Sequence, residues 1–318
     1  MDDEPRLHLL GEDLLDPSGG AFTLYRGLST RWPDRVHTTP ISEAAIAGVA
    51  NGMALRGLRP VAELMFGDFL SLVMDQVLNH ATKFAAMYAG KATCPVILRT
   101  PVGGYRGYGP THSQCPEKHF IGIAGLTVTA LSPVHDPLVL WRRMLSLDGP
   151  CLHVEGKLLY GQSFKPYQDG RIDGFLAQSD RRGFPTIALQ LVETAEPDLV
   201  VPVYGELVSV ALELARRLFV EHEKVVRVVV PSCISPVPVD GLCEFSKGAR
   251  ALLVIEEGTE RAGWGAAVLA ELLPRLPSGL RARNLGALNT IIPASAAGEA
   301  RMLPSIDRIM DGALAVMR

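Results

Sequence analysis

Short runs of apolar, β-rich residues alternate with helical patterns along the whole chain. In the first half, RPVAELMF, CPVILRT, GLTVTALS and PCLHVEG are apolar almost throughout and read as strands buried on both faces. Between them the spacing predicts helices near 43–56, 69–89, 116–123 and 135–147. Ser42 stands where the first of these wants an N-cap, and Gly57 with Pro60 ends it. From Gly156 to about Glu196 the pattern decays into KLLYGQSFKPYQDGRIDG and SDRRGFPT, rich in glycine, proline and charge, which reads as the crossing into a second domain. The alternation then resumes. DLVVPV precedes a helix near 206–222, VVRVVVPS a short one near 239–246, and ALLVIEE one near 263–273. The expectation is an α/β fold of two domains, residues 1–180 including the linker and 190–318, each a mostly parallel sheet flanked by helices.

Composition narrows this picture. Hydrophobic residues are 47% and charged residues 20% of the 318, so the chain is globular and long enough for two cores. A formal net charge of −3 gives no electrostatic case for nucleic acid. The N-terminus, MDDEPRLHLLGED, is acidic and lacks the apolar run of a signal peptide, and no stretch is apolar for long enough to span a membrane. Five cysteines, at 94, 115, 151, 233 and 243, lack C-x-x-C spacing and read as reduced thiols. These features together predict a cytoplasmic protein.

The familiar phosphate cradles are missing: no G-x-G-x-x-G follows a strand, and there is no P-loop. No G-x-S-x-G elbow marks a serine nucleophile, and Cys115 near His112 is no geometry for a thiol enzyme. The loop PVGGYRGYGPTHSQ follows a strand's C-terminal end, where α/β proteins place ligands, and ends in His112, Ser113 and Gln114; a plain surface loop is the alternative. Glu43 is the other oddity. It opens a helix rich in alanine and glycine with no further charge until Arg56. A carboxyl buried there would have its pKa raised, yet a first-turn acid favoured by the helix dipole explains the position better from the residues alone.

The order of the motifs carries more than any one of them. LLGED, TPISE, GLRPVAE, MDQVLNHATKF, PVILRTPVGG, HSQ and GLTVTALSP, then VYGELVSVALELA, ISPVPVD and LLVIEEGTERAGWGAAVLAEL, resemble the β subunit of the thiamine-diphosphate-dependent decarboxylating component of 2-oxo acid dehydrogenases. The resemblance covers residues 8 to 315 and implies a pyrimidine-binding domain followed by a transketolase-type C-terminal domain. It implies an α subunit that supplies the diphosphate-binding half and Mg2+, in a heterotetramer of two α and two β chains, and a lipoyl acyltransferase as acceptor. The family's Gly-Asp-Gly magnesium motif is not found here. Glu43 matches the glutamate that hydrogen-bonds the cofactor's aminopyrimidine ring, and Phe69 the aromatic that stacks on it, with Met65 and Phe66 alongside. His112 matches the histidine that assists acyl transfer, with Gln114 as a weaker neighbour and Glu12 as a further acid near the site. Glu63 carries no catalytic role and could face a partner chain or cap a neighbouring helix.

The chain departs from the family in three places. Few residues precede LLGED, the segment SLDGPC lacks the side chains of the family's potassium loop, and RGYGPT before HSQ differs from the histidine-containing version of many relatives. The first and last of these keep an alternative open, a related subunit that moves a two-carbon, glycolyl-type unit from a ketose phosphate to a lipoyl or acyl carrier protein. A non-catalytic scaffold is a third reading, disfavoured by Glu43, Phe69 and His112. In the helix after Glu43, Gly48 and Gly52 share a face bare enough for another backbone to approach, either in a second chain or within the domain.

Overall fold

The computed structural model describes all residues of the chain except Pro166, Arg181 and Thr194. Two seven-stranded sheets organise it. In the first, the strands run in the order Cys233–Ser235, Thr127–Ala130, Cys151–Gly156, Ile97–Val102, Arg59–Glu63, Leu7–Gly11 and Val36–Thr38. Neighbours are parallel throughout, apart from the antiparallel pairing of Cys233–Ser235 with Thr127–Ala130. The four apolar runs predicted in the first half form the centre of this sheet, where both faces are covered.

The second sheet runs Arg281–Ala287, Ala251–Thr259, Leu199–Pro202, Val226–Pro231, Thr186–Gln190, Phe175–Ser179 and Arg171–Ile172. Its first four strands are parallel, and the last three continue it antiparallel. The outermost of these pairings has a local cause. Asp173 and Gly174 both take positive φ, 52° and 82°, and turn the chain in two residues between Ile172 and Phe175. The stretch that reads as linker thus contains three strands of the second sheet, Arg171–Ile172, Phe175–Ser179 and Thr186–Gln190.

The two halves interlock. Strand Cys233–Ser235 comes from the second half yet extends the first sheet, and buried Trp264 donates from Nε1 to the Ile234 carbonyl at 3.1 Å. One apolar cluster contains Leu10, Leu64 and Val102 together with Tyr204, Val229 and Trp264, so the sheets share a core.

Helix Glu43–Leu55 shows how a carboxylate comes to be buried. Its inward residues are Glu43, Ile46, Ala47, Ala50, Asn51 and Ala54, spaced three and four apart, and Glu43 is the first of that stripe. Ser42 holds the N-cap position but makes no capping hydrogen bond with its side chain. The opposite face, with Ala44, Ala45, Val49 and Gly52, is exposed. The helix expected at 69–89 is instead broken into a 3-10 turn Gly67–Phe69, helix Leu70–Asp75, a π-helical turn Gln76–Ala81 and a short helix Phe84–Met87. Asn51 Nδ2 donates to the Gln76 carbonyl at 2.9 Å and Thr82 Oγ1 to Val77 O at 3.1 Å, supporting the wider turn. The helix expected at 116–123 is one 3-10 turn, Pro116–Phe120. Asp136 caps helix Pro137–Leu145 through the Leu138 amide, and the later helices are Leu207–His222, Val239–Phe245, Trp264–Leu272, Ala296–Met302 and Ile306–Met317. Among the described residues, no helix is long and apolar enough to cross a membrane.

Candidate active site

The parallel strands of the first sheet all deliver their following residues to one edge. Glu12 follows Leu7–Gly11, Met65 to Phe69 follow Arg59–Glu63, the glycine loop follows Ile97–Val102, and Lys157 follows Cys151–Gly156. This carboxyl edge is where open α/β sheets bind ligands.

Glu12 and Glu43 form one group of the site. Both are buried, each 6% exposed. Burial raises the Glu12 carboxyl above its ordinary value, and the nearby charges of Glu43 and Asp13 add to that. Glu12 Oε1 is buried without a hydrogen-bond partner. An orphaned carboxylate oxygen beside a second buried carboxyl suits a ligand that brings hydrogen-bond donors.

An aromatic group lies alongside. The His112 ring meets Phe66 and Phe69 edge-on, with centroids 4.7 and 5.5 Å away. Phe66 also meets Phe22 at 5.8 Å and Tyr108 at 6.3 Å. The turn that presents Phe66 and Phe69 needs glycine at 67, because a Cβ there would sit 2.5 Å from Val102 Cγ1 and 3.1 Å from the Pro101 carbonyl. Asp68 Oδ1 accepts from the Gln114 amide at 3.2 Å and from its Nε2 at 2.8 Å, tying this turn to the HSQ segment. Thr111 Oγ1 lies 3.1 Å from His112 Nδ1, and Lys157 Nζ donates to the His112 carbonyl at 2.9 Å. Met65 is half-buried immediately before Phe66. Phe66, Phe69, His112 and Gln114 are thus brought together, with Glu12 after strand Leu7–Gly11 and Glu43 at the start of helix Glu43–Leu55 on the same edge. Burial, reinforced by Glu257 and Glu117, pushes the Cys115 thiol well up, which argues against a nucleophilic role.

Beneath the site runs a buried charged layer. Sheet register sets Glu63 beside Arg99 and Arg99 beside His153, and alternation puts Glu155 on the same face. Arg99 Nη1 donates to Glu63 at 2.9 Å and Nε to Glu155 at 3.0 Å, while Nη2 reaches both Glu155 and the Tyr160 hydroxyl. Burial lifts Glu63 to about 7 against the pull of Arg99. Burial would lift Glu155 too, but Arg99 and His153 outweigh it and hold that carboxyl well below the usual range. Glu63 therefore neither faces a partner chain nor caps a helix; it turns into its own sheet because its register neighbour is a buried arginine.

Several of these residues carry no motif. Lys157 and Arg99 follow or sit within apolar strand runs, and their isolation in such runs is the only signal the sequence offers. Phe22 and Tyr160 come from loops and give none.

A profile described as the transketolase pyrimidine binding domain matches residues 1–162, and the transketolase C-terminal domain matches 190–309. The 3-methyl-2-oxobutanoate dehydrogenase subunit beta of Mycobacterium tuberculosis is 31% identical over 317 residues, covering 99% of this chain and 87% of that protein. The chain belongs to the transketolase-like β subunits of 2-oxo acid dehydrogenases. The β subunit of acetoin:2,6-dichlorophenolindophenol oxidoreductase from Cupriavidus necator is 30% identical, covering 100% of this chain and 94% of that one. Pyruvate dehydrogenase E1 component subunit beta-1 of Arabidopsis thaliana is 28% identical, covering 98% of this chain and 84% of that one. A solved structure described as a split gene transketolase, inactive beta4 tetramer, superposes with TM-score 0.73 at 19% identity over 100% of this chain and 95% of that one, which concerns the fold. These relatives favour oxidative 2-oxo acid chemistry over the ketose-to-carrier alternative, and an enzyme subunit over a scaffold. As a β subunit of this family, the chain is one part of a multi-subunit dehydrogenase with an α partner.

Proposed function

We propose that this β subunit completes a thiamine-diphosphate site with an α chain, in a heterotetramer of two α and two β chains, and that the complex decarboxylates a 2-oxo acid and passes the acyl group to a lipoyl acyltransferase. The observation that carries the reading is the buried Glu43 at a helix start on the carboxyl edge of the sheet, beside Glu12 with its unpartnered Oε1. The residues present suit the cofactor's pyrimidine end: two adjacent buried carboxyls for its ring nitrogen and amino group, and half-buried aromatic rings for its faces. The α chain would supply the diphosphate-binding half and Mg2+.

Thiamine diphosphate, when bound, supplies the carbon nucleophile for the 2-oxo carbonyl and takes up the electron pair as carbon dioxide leaves. Glu43 hydrogen-bonds the pyrimidine ring nitrogen, and the apolar stripe behind it keeps water from that contact. Glu12 stays protonated more readily than an exposed acid, which eases its place beside a second buried carboxyl. Phe69 presents its ring to the pyrimidine, and Met65 and Phe66 close the wall behind it. His112, on the glycine loop, exchanges a proton with the sulfur of the incoming lipoyl group during acyl transfer, and Gln114 keeps the HSQ segment on Asp68. The test is co-expression with the α partner and ferricyanide-coupled turnover of pyruvate and branched 2-oxo acids. Glu43→Ala is expected to abolish thiamine-dependent turnover; full activity in that variant overturns the assignment.

A further inference from the structure

Three carboxylates from the second half of the chain grip backbone amides in the site loops of the first half. Glu257 Oε1 accepts from Gly104 N at 2.6 Å, Glu299 Oε2 from Gly107 N at 2.8 Å, and Glu206 Oε2 from Leu158 N at 3.0 Å. The loops are fitted closely to these acids. A Cβ at Gly103 would lie 2.9 Å from Glu257 Oε1, and one at Gly156 would lie 2.5 Å from Glu206 Oε2. Gly104 is pressed as hard, with Leu303 Cδ1 2.6 Å from where its Cβ would be. The glycines of this loop thus serve contact with the other domain and not only flexibility.

Lys157 precedes Leu158, whose amide Glu206 holds, and reaches His112. It is 0% exposed, and its Nζ lies 5.7 Å from the Phe66 ring centroid while donating to the His112 carbonyl at 2.9 Å. Asp68, Glu206 and Glu257 supply the negative surroundings that such a buried ammonium requires. Glu206 and Glu257 are hydrogen-bonded to each other and both resist ionisation because of burial, so the pair keeps a proton and does not overwhelm the single ammonium. None of these three side chains is needed to touch substrate in the chemistry described above.

We propose that Lys157, next in the chain to Leu158 whose amide Glu206 holds, is a positioning residue that fixes His112 through its backbone carbonyl, so that the C-terminal half sets where the acyl-transfer histidine stands. The proposal rests on the role given to His112. It accounts for a lysine, and not an apolar residue, at a fully enclosed site: a hydrogen-bond donor is required at a carbonyl that no strand or helix satisfies.

The experiment uses the complex with the α partner and whichever of pyruvate or 3-methyl-2-oxobutanoate it oxidises faster. Lys157→Met keeps length and bulk but removes the donor. Acyl transfer to free lipoamide is expected to fall roughly 100-fold in kcat, as for a misplaced catalytic group. Ferricyanide-coupled decarboxylation should fall less than about threefold, with KM for the 2-oxo acid little changed. Hydrogen exchange in residues 103–115 should accelerate in the same variant. Equal loss of both half-reactions, or unchanged exchange in 103–115, overturns the proposal. If Lys157→Met does not assemble, Glu257→Ala decides, because it removes the acceptor of Gly104 N at the other end of the same cradle and should give the same split. His112→Asn separates the two levels of inference. Intact acyl transfer in that variant refutes the role of His112 itself, whereas its loss alongside a normal Lys157→Met refutes only the positioning.

Discussion

Replacing Arg99 with methionine tests the buried charged layer under the site. Arg99 is 1% exposed and is the common donor to Glu63, Glu155 and Tyr160. Methionine retains much of the aliphatic stem but leaves two buried carboxyls and a phenol facing one another without a cation. Removing one member of a buried ion pair costs about 3–5 kcal/mol, and two stranded acids place this case near the upper figure, about 5 kcal/mol at pH 8. At roughly 2–4 °C per kcal/mol for a chain of this size, melting should drop by about 10–20 °C. The pH dependence follows from the two carboxyls. In the native chain Arg99 and His153 hold Glu155 down, so its contribution is present above the unfolded carboxylate value and lost as pH falls through the folded one. Glu63, lifted to about 7 by burial, already takes up a proton as pH falls through neutrality. Without Arg99 both carboxyls move upward, and the folded variant binds more protons than the unfolded chain at mildly acidic and neutral pH. Stability of the variant then falls as pH rises, by up to about 1.4 kcal/mol per pH unit for each extra proton held. The deficit should therefore shrink by about 2–3 kcal/mol on going from pH 8 to 5.5. Thermal melts followed by near-ultraviolet circular dichroism at the two pH values measure this. A deficit under about 1 kcal/mol, or one equal at both pH values, refutes the account of the layer.

Other substitutions probe the site and its surroundings. Gly67→Ala forces a Cβ to within 2.5 Å of Val102 Cγ1 and should destabilise by about 1–3 kcal/mol while weakening thiamine diphosphate binding, measured by melting and by cofactor titration of the complex; normal values in both count against the fitted turn. His112→Asn should slow acyl transfer to lipoamide by roughly 10²–10⁴-fold, and ferricyanide-coupled turnover far less. An equal loss in both would remove His112 from the acyl-transfer step. Gly52 has no atom within 4 Å of a built Cβ, so Gly52→Leu should leave the isolated chain as stable or add about 1 kcal/mol of helix propensity. The same variant should fail to co-purify with the α partner, and an intact complex by sizing would show that this face is free.

Much of the fold is written in local patterns. The apolar runs around Val61, Leu98, Val128 and Leu152 become the central strands of the first sheet because a parallel sheet covered on both faces demands apolar residues at most positions. Where local pattern and tertiary demand diverged, the pattern misled. Residues 69–89 have helical spacing, yet packing against helix Glu43–Leu55 and the Asn51 bond to the Gln76 carbonyl give a π-helical turn. The Asp173-Gly174 hairpin had a sequence signal that was lost in its polar surroundings.

The candidate site divides in the same way. Glu43, Phe69 and His112 are legible because they stand in ordered motifs, and the helix spacing of Glu43, Ile46, Ala47 and Ala50 already sends the carboxylate inward. Arg99, Lys157, Glu206 and Glu257 are not legible. A lone charge in or beside an apolar strand becomes meaningful only when its partner is known, and these partners lie 36, 45, 48 and 153 residues away in sequence. Sequence periodicity fixes which face of an element is buried, but it carries no information on which two faces meet. That choice belongs to sheet order and to the interlocking of the two halves, and it is there that the support beneath Glu43 and His112 was decided.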